Sequence, residues 1–262
     1  MPRFVLQSIA SVFVIVWLNL TNDVFDHETG VDVDKKESVV NRTGERDAIF
    51  WIANALLAVG VTTFIGVILQ AKQGLAGAML FASIGIGYLY QGPPFRLSYK
   101  GLGEILCFFA FGPLATTAFF LIQTGLRASD VLGQPLVMLS ATLVGLTTSN
   151  ILLNSHYHQI KTDKSSGKKS PAVRFGTKNV ARATCVTVLL VYTIYITGLA
   201  RGVVPTSTLL FTPLTVISAL KLCLFVLKNH ANEQVIKPAK FLAVQWHRNF
   251  AVLFSLGLLL CP

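Results

Sequence analysis

An acidic cluster stands out near the start of this 262-residue chain, because eight of its twelve acidic residues lie between Asp23 and Asp47. Residues three and four apart share a face of a helix. A helix through the start of this stretch would therefore carry one polar face, made of Asn19, Asn22, Asp23 and Asp26. Gly30 can end that helix, and Asp32 would then fold back beside it.

Carboxylates held this close repel one another, and a divalent cation would offset the repulsion. Mg²⁺ takes one or two carboxylates and completes its shell with water and with phosphate oxygens of a substrate. The spacing therefore predicts that Asp23 and Asp26 hold Mg²⁺. The alternative is a solvated acidic loop that holds no ligand.

A second polar cluster lies between Asn150 and Gly176. If the preceding helix continues, one face carries Ser155, His156, Gln159 and Asp163. A basic segment follows directly and contains Lys164, Lys168, Lys169 and Arg174. An acid that can hold a cation, beside Lys and Arg side chains that can hold phosphate oxygens, is the composition that a diphosphate site requires. For several of these lysines, the ordinary positive charge of a membrane-protein loop is an alternative explanation.

A third stretch, from Tyr90 to Glu104, contains Pro93–Pro94, which must break a helix. The following residues Arg96, Tyr99 and Lys100 then face the same compartment as both polar clusters. Glu104 begins the next apolar segment. A buried, unpaired glutamate is costly, so we expect it to pair with a base or with a substrate group.

The elements that carry these clusters are long apolar segments. The chain is 53% hydrophobic and 13% charged, with a mean hydropathy of +0.61, and a transmembrane helix needs about 20 mostly apolar residues. Eight spans are predicted, at residues 3–20, 48–69, 74–91, 101–124, 134–155, 183–200, 206–227 and 249–261. The net charge of +10 is confined to a few loops, which argues against nucleic-acid binding.

The basic residues indicate which loops share a side of the membrane. The loops after spans one, three, five and seven hold 17 of the 22 basic residues, which predicts that this side is cytoplasmic, or stromal in a plastid. Arg3 conflicts with this, because it falls on the opposite side. Residues 1–20 could instead be a secretory signal peptide, or a preceding helix could be absent from this sequence.

Three motifs together resemble the UbiA superfamily of intramembrane aromatic prenyltransferases, within it the MenA branch, and most of all the cyanobacterial and plastid form of that branch. The first is Asn22–Asp23–x–x–Asp26 with Gly30–x–Asp32, and the second is the stretch from Gly92 to Tyr99. The third runs from His158–Gln159 to Gly176. In most of the superfamily this third motif has two aspartates. Here Gln159 replaces the first, a change that the cyanobacterial and plastid form shares.

The resemblance implies an all-α fold, a polytopic transmembrane helix bundle of the UbiA type with nine helices in the family and eight spans here. Residues 1–262 would form a single prenyltransferase domain that lacks the first helix of the family. It implies Mg²⁺ held by Asp23, Asp26 and Asp163, with Asn22 and Gln159 beside it. Candidate diphosphate contacts are Arg96, Lys168 and Arg174, while Tyr99 and Lys100 complete the substrate site and Glu104 and His156 orient the aromatic acceptor.

The implied reaction transfers a prenyl group, phytyl in this branch, from its diphosphate to 1,4-dihydroxy-2-naphthoate or its quinone form, in phylloquinone or menaquinone biosynthesis. The partners would be these two substrates and the lipid bilayer. The membrane would be that of a plastid in a eukaryote, or the plasma or thylakoid membrane in a cyanobacterium. A homogentisate, 4-hydroxybenzoate or chlorophyllide prenyltransferase is an alternative. A transporter is another, although its polar groups would be expected near the membrane midplane.

Overall fold

Eight long helices dominate the computed structural model, which describes residues 2–31, 35, 37–131 and 133–260. In chain order they are α1 (Pro2–Thr29), α2 (Arg46–Ala71), α3 (Gly74–Gln91), α4 (Gly103–Thr124), α5 (Pro135–Ser155), α6 (Thr177–Ala200), α7 (Thr206–Asn229) and α8 (Ala239–Leu259). Short helices occupy the connections Val39–Thr43, Leu97–Lys100, Ala128–Val131, His156–His158, Ile160–Ser165 and Pro171–Phe175. No strand occurs among these residues, which confirms the predicted all-α class.

Seven of these helices, α1 to α7, are long and apolar enough to cross a membrane. The helix α8 falls outside that set, because its first half carries Lys240, His247 and Arg248. The prediction of an eighth span at 249–261 was wrong in its start, since the helix begins at Ala239. Arg248, assigned to a loop, therefore lies inside α8. Similarly, α6 begins at Thr177 rather than at residue 183.

The outer faces of the helices are apolar and exposed. Trp51 on α2 is 70% exposed and Ile217 on α7 is 72% exposed, and large aliphatic and aromatic side chains are exposed along the other long helices too. A soluble protein rarely leaves a continuous apolar surface of this kind in water. The bundle therefore presents these faces to lipid, and the chain is an integral membrane protein.

The loops that carry the three motifs meet at one end of the bundle. The Lys169 N–H donates to the Tyr99 carbonyl over 2.8 Å, and Arg96 pairs with Glu28 at 3.4 Å. On the same side, Lys161 pairs with Glu233 in the loop before α8, at 2.8 Å. The predicted co-location of the four loops is thus seen in direct contacts between them.

A very close contact between helices joins α4 to α5. In the middle of α4, the segment Ala110–Thr116 is a π-helix that accommodates Pro113. Just there, a Cβ at Gly112 would lie 2.5 Å from the Ala141 carbonyl oxygen and 2.9 Å from the Gly145 Cα. Only glycine permits this approach, which fixes the two helices on one wall of the cavity described below.

Two apolar cores flank that wall. One lies mainly among α1 to α4 and includes Trp17, Phe64 and Leu121. The other lies among α5 to α8 and includes Tyr195, Trp246 and Phe250. The α5 helix contacts both halves and so connects them.

Candidate active site

The last turns of α1 carry the first acidic pair, as the spacing predicted. The helix ends at Thr29, and Gly30 has a φ of 73°, a left-handed conformation that suits glycine at a helix end. Asp26 is 3% exposed. Its carboxylate accepts hydrogen bonds from Asn22 Nδ2 at 3.1 Å and from the Tyr99 hydroxyl at 3.0 Å. These contacts hold Asp26 in one orientation.

Tyr99 connects the second motif to this pair from the short helix Leu97–Lys100. Burial raises the pKa of its phenol, and the charge of Asp26 raises it further. The hydroxyl therefore stays protonated at neutral pH and acts as a donor to Asp26. The Thr29 hydroxyl also forms a hydrogen bond with Tyr99.

Asp23, one helical turn before Asp26, has different partners. Its Oδ1 pairs with Lys35 Nζ at 2.8 Å, and its Oδ2 accepts the Val39 backbone N–H at 2.8 Å. Both contacts come from the connection between α1 and α2, so this carboxylate anchors that connection to the bundle.

The second polar cluster does not continue α5 as a helix. The helix ends at Ser155, a 3-10 turn spans His156–His158, and a new helix runs over Ile160–Ser165. The prediction of one continuous polar face was therefore wrong. The turn nevertheless brings two of the four residues together, with His156 Nδ1 lying 3.8 Å from Asp163 Oδ2.

Asp163 is fully buried, and neither carboxylate oxygen has a hydrogen-bond partner in the part of the chain that the structure describes. Lys168 Nζ lies 3.8 Å from its Oδ1, and 5.3 Å from the centre of the Tyr99 ring. A buried carboxylate without hydrogen bonds is costly unless a cation neutralises it. Asp163 is thus a site at which a positively charged ligand would be stabilised.

Glu104, at the start of α4, pairs with His156 Nε2 at 3.1 Å, as expected for a buried glutamate that needs a base. The Ser149 hydroxyl donates to the Glu104 backbone carbonyl and ties α5 to this point. His156 therefore lies between two carboxylates, those of Glu104 and Asp163.

Asp23, Asp26, His156 and Lys168 line the head of a cavity of about 690 Å³, whereas Asp163, Tyr99 and Glu104 lie outside its lining. Its polar lining consists of Asn22, Asp23, Asp26, Lys35, Glu37, His156, Gln159, Lys168 and Lys240, with Asn19, Gln91 and Ser155 close by. Below this head the walls are mainly apolar and include Val14, Ile15, Leu18, Ile84, Leu106 and Ile151. Phe64 and Phe119 also line the cavity, and their rings stack with centres 6.3 Å apart. A long apolar molecule with an anionic head fits this division.

Several predicted substrate contacts lie outside the cavity lining. Arg96 pairs with Glu28, and its backbone has a φ of 42°, a strained conformation for a non-glycine residue. Lys100 is exposed, and the exposed Arg174 guanidinium packs over the Phe175 ring. These three residues belong to the loops at the polar end of the cavity, which we call its mouth, and none of them lines the cavity. Their roles at the diphosphate stay predictions. The predicted substrate contacts of Tyr99 and Glu104 also stay predictions, because in this structure Tyr99 contacts Asp26 and Glu104 contacts His156.

Sequence reasoning missed two lysines at the cavity head, Lys35 and Lys240, and counted both only as loop charge. Lys240 forms an ion pair with Glu37 across the mouth. Neither lysine belongs to a motif, and only their position beside acidic residues in the folded chain distinguishes them. Tyr90 was also missed as a lining residue, although it ends the span before Pro93–Pro94.

Among the described residues, no three His, Cys, Asp or Glu side chains converge closely enough to enclose a metal ion. The proposed set of Asp23, Asp26 and Asp163 is therefore not assembled as one cluster, and Asp32 lies outside the described residues. The donor chemistry nonetheless fits Mg²⁺, which needs only one or two carboxylates when phosphate and water supply the rest. The carboxylate of Asp163, whose two oxygens accept no hydrogen bond from the described residues, supports that fit.

Comparison with known proteins identifies the family. The profile of the UbiA prenyltransferase family matches residues 2–249. The chain is 42% identical over 262 residues to the chloroplastic 2-carboxy-1,4-naphthoquinone phytyltransferase of Arabidopsis thaliana, covering 98% of this chain and 68% of that protein. It is 37% identical over 254 residues to the 2-carboxy-1,4-naphthoquinone phytyltransferase of Synechocystis, covering 97% and 80%.

A solved structure described as the digeranylgeranylglyceryl phosphate synthase in membranes matches with a TM-score of 0.61 and 16% identity, over 97% of this chain and 85% of that one. This match concerns the fold alone, and it agrees with the predicted UbiA-type bundle. The family profile and the two relatives go further, and show that the chain belongs to the UbiA prenyltransferase family and is a membrane-embedded prenyltransferase.

Proposed function

We propose that this enzyme transfers a phytyl group from phytyl diphosphate to 1,4-dihydroxy-2-naphthoate or its quinone form, in phylloquinone or menaquinone biosynthesis. The observation that carries the proposal is a single cavity with carboxylates and lysines at its head and apolar walls below. An isoprenoid diphosphate likewise has a charged head and a long apolar tail. The two relatives named as 2-carboxy-1,4-naphthoquinone phytyltransferases support the choice of donor and acceptor.

Mg²⁺ is proposed to bind at the cavity head through Asp23 and Asp26, with Asn22 and Gln159 as neighbours, while Asp163, which does not cluster with them in this structure, would add negative charge. When bound, it would neutralise the diphosphate as negative charge develops on that leaving group. The protein's own contribution begins with orientation. Tyr99 and Asn22 hold Asp26, and the buried position of Asp163 strengthens its attraction for positive charge.

Lys168 is proposed to hold diphosphate oxygens, because its ammonium is buried at the head and lies 3.8 Å from Asp163. A charge-assisted hydrogen bond from this lysine would strengthen as the allylic C–O bond breaks. Arg96 and Arg174 at the mouth would add positive potential that attracts the donor. The apolar walls would keep water from the carbocation that this bond cleavage leaves.

The aromatic acceptor is proposed to lie against His156, which lines the cavity and is held by Glu104 at 3.1 Å. The imidazole could form a hydrogen bond with a hydroxyl or with the carboxylate of a naphthoate. The electron-rich ring of dihydroxynaphthoate is proposed to form a bond to the allylic carbocation, which moves the positive charge onto the ring. Loss of the ring carboxylate as carbon dioxide leaves its bonding electrons in the ring and neutralises that charge. The first relative is named as chloroplastic and the second is from Synechocystis, which supports the proposal that the reaction takes place in a plastid or thylakoid membrane.

The test uses membranes that contain this chain. They are incubated with phytyl or geranylgeranyl diphosphate and with dihydroxynaphthoate, homogentisate or 4-hydroxybenzoate, and the prenylated products are identified by mass spectrometry. We expect the phytyl naphthohydroquinone product, with release of diphosphate and carbon dioxide, from the first acceptor and none from membranes carrying the Asp163→Asn variant. A preference for homogentisate or 4-hydroxybenzoate would refute the proposed acceptor. A preference for geranylgeranyl diphosphate would refute the proposed donor.

A further inference from the structure

Lys35 forms an ion pair with Asp23, one of the carboxylates at which a metal ion is proposed to bind. Its Nζ lies 2.8 Å from Asp23 Oδ1, and the two side chains are only 18% and 11% exposed. The other oxygen of Asp23 accepts the Val39 N–H. Partly buried ion pairs of this kind are shielded less from one another by water and salt than surface pairs. The lysine is therefore a genuine counter-ion of Asp23.

The chain around Lys35 is held over the cavity from two directions. Lys35, Glu37 and Val39 all line the cavity. Val40 is fully buried in a small apolar core with Val24 and Phe25 of α1. On the other side, Glu37 forms its ion pair with Lys240 of α8. These contacts hold the segment from Glu37 to Val40 at the cavity head, two residues along the chain from Lys35.

A divalent cation and an ammonium group on one carboxylate oxygen repel each other strongly at this depth. A carboxylate offers about four lone-pair sites, so the Val39 N–H bond can remain while the Lys35 contact cannot. The lysine stem is long and flexible, which allows the ammonium to turn away without moving the backbone. The new anion within its reach is a diphosphate at the same cavity head.

We propose that Lys35 is a positioning residue that neutralises Asp23 before the donor binds and transfers to the diphosphate when metal and donor arrive together. This inference rests on the proposed prenyl-diphosphate function. It implies that metal alone binds weakly, because it must displace Lys35 without providing an anion for the displaced ammonium. Metal and donor would therefore bind as a coupled pair, which protects the site from occupation by metal alone.

The test compares the wild-type chain with Lys35→Gln, Lys35→Arg and Lys178→Gln in lipid nanodiscs. Lys178 is exposed at the start of α6 on the same side, so its variant removes the same charge away from the cavity. Mn²⁺ binding without any diphosphate is measured by electron paramagnetic resonance. The KM for phytyl diphosphate is measured separately in the presence of excess Mg²⁺.

We expect Lys35→Gln to bind Mn²⁺ at least about fivefold more tightly than wild type, because it loses a competing ion pair of about 1 kcal/mol. We expect its KM for phytyl diphosphate to rise about tenfold or more, because a charge-assisted hydrogen bond to the donor is lost. Lys35→Arg should restore both values towards wild type, and Lys178→Gln should change neither by more than about twofold.

The two effects of Lys35→Gln have opposite signs, which a distorted loop would not produce, since it would weaken both. Suppose that the wild type binds Mn²⁺ and forms product, but Lys35→Gln binds Mn²⁺ no more tightly than the wild type. That result would overturn the role of Lys35 and leave the proposed function intact. An unchanged KM in Lys35→Gln would equally overturn the transfer to diphosphate. Absence of Mn²⁺ binding and of product in every variant would overturn both proposals.

Discussion

Tyr99→Phe removes one hydroxyl beside the cavity head, together with its hydrogen bonds to Asp26 and Thr29. In the structure this hydroxyl donates to Asp26 Oδ1 at 3.0 Å, and Asp26 is 3% exposed. Hydrogen bonds to charged groups contribute about 1.5–3 kcal/mol. If Asp26 must keep its orientation in the transition state, this loss corresponds to a decrease of about 10- to 100-fold in kcat/KM, since 1.36 kcal/mol is tenfold.

The assay is initial-rate formation of prenylated product in nanodiscs at saturating Mg²⁺. Tyr195→Phe is the matched control, because Tyr195 is buried and its hydroxyl bonds to Thr208 at 3.0 Å near the other end of α6. It should lower the melting temperature and leave kcat/KM of the folded enzyme within about twofold of wild type. Because burial and Asp26 raise the pKa of Tyr99, the wild-type phenol stays protonated, and the deficit of Tyr99→Phe should be the same at pH 7 and pH 9.

A value of kcat/KM for Tyr99→Phe within twofold of wild type would show that Asp26 does not depend on this hydroxyl. An equal loss in Tyr195→Phe would show that the effect comes from general destabilisation. A deficit that disappears at pH 9 would mean that the wild-type phenol ionises there, against its raised pKa.

Three further predictions follow from the same geometry. Asp26→Ala should abolish turnover while the protein still inserts and folds, and EDTA should do so reversibly. Activity retained in either case would show that this carboxylate does not hold a metal ion needed for turnover. Gly112→Ala should lower the free energy of unfolding by about 1–3 kcal/mol, because it overpacks α4 against α5, and the melting temperature should fall. A Cβ at Gly66 would have no atom within 4 Å, so the control Gly66→Ala should not lower the melting temperature. Equal melting temperatures of the two variants would contradict the close contact. Cysteines at Lys164 and Arg201 should react with an impermeant thiol reagent from opposite sides of the membrane, and labelling of both from one side would contradict the topology.

The sequence predicted the placement of Asp23 and Asp26 on one helix well, because this placement depends only on residues that are close together in the chain. Asn22 and Asp26 are four residues apart on one helix, and their hydrogen bond follows from that spacing. Gly30 marks the helix end by its preference for positive φ. The joining of α1 to the Pro93–Pro94 motif through Tyr99 was predicted only as a shared side of the membrane, since a contact across 73 residues depends on helix packing.

Two errors have identifiable physical causes. Hydropathy placed the start of α8 too late because Lys240 and Arg248 lower the local average. Burial at Ala239, Ala243, Trp246, Phe250 and Phe254 follows a spacing of three or four residues, which is the signal that marks this amphipathic helix. The break after Ser155 carried no such signal, because neither glycine nor proline interrupts residues 156–165.

The Phe64–Phe119 stack has a consequence for the kind of chain that the enzyme accepts. Phe64 lies 18 residues along α2 from Arg46, and a rise of 1.5 Å per residue separates the two by roughly 27 Å along the helix axis. These two rings line the apolar part of the cavity, while the residues proposed to hold the metal and the diphosphate lie at its polar head. If the prenyl chain lies along this apolar part as proposed, the preferred chain length and the chemistry depend on separate residues. Substitutions at Phe64 or Phe119 should then change the preferred chain length and leave the carboxylates and lysines at the cavity head in place.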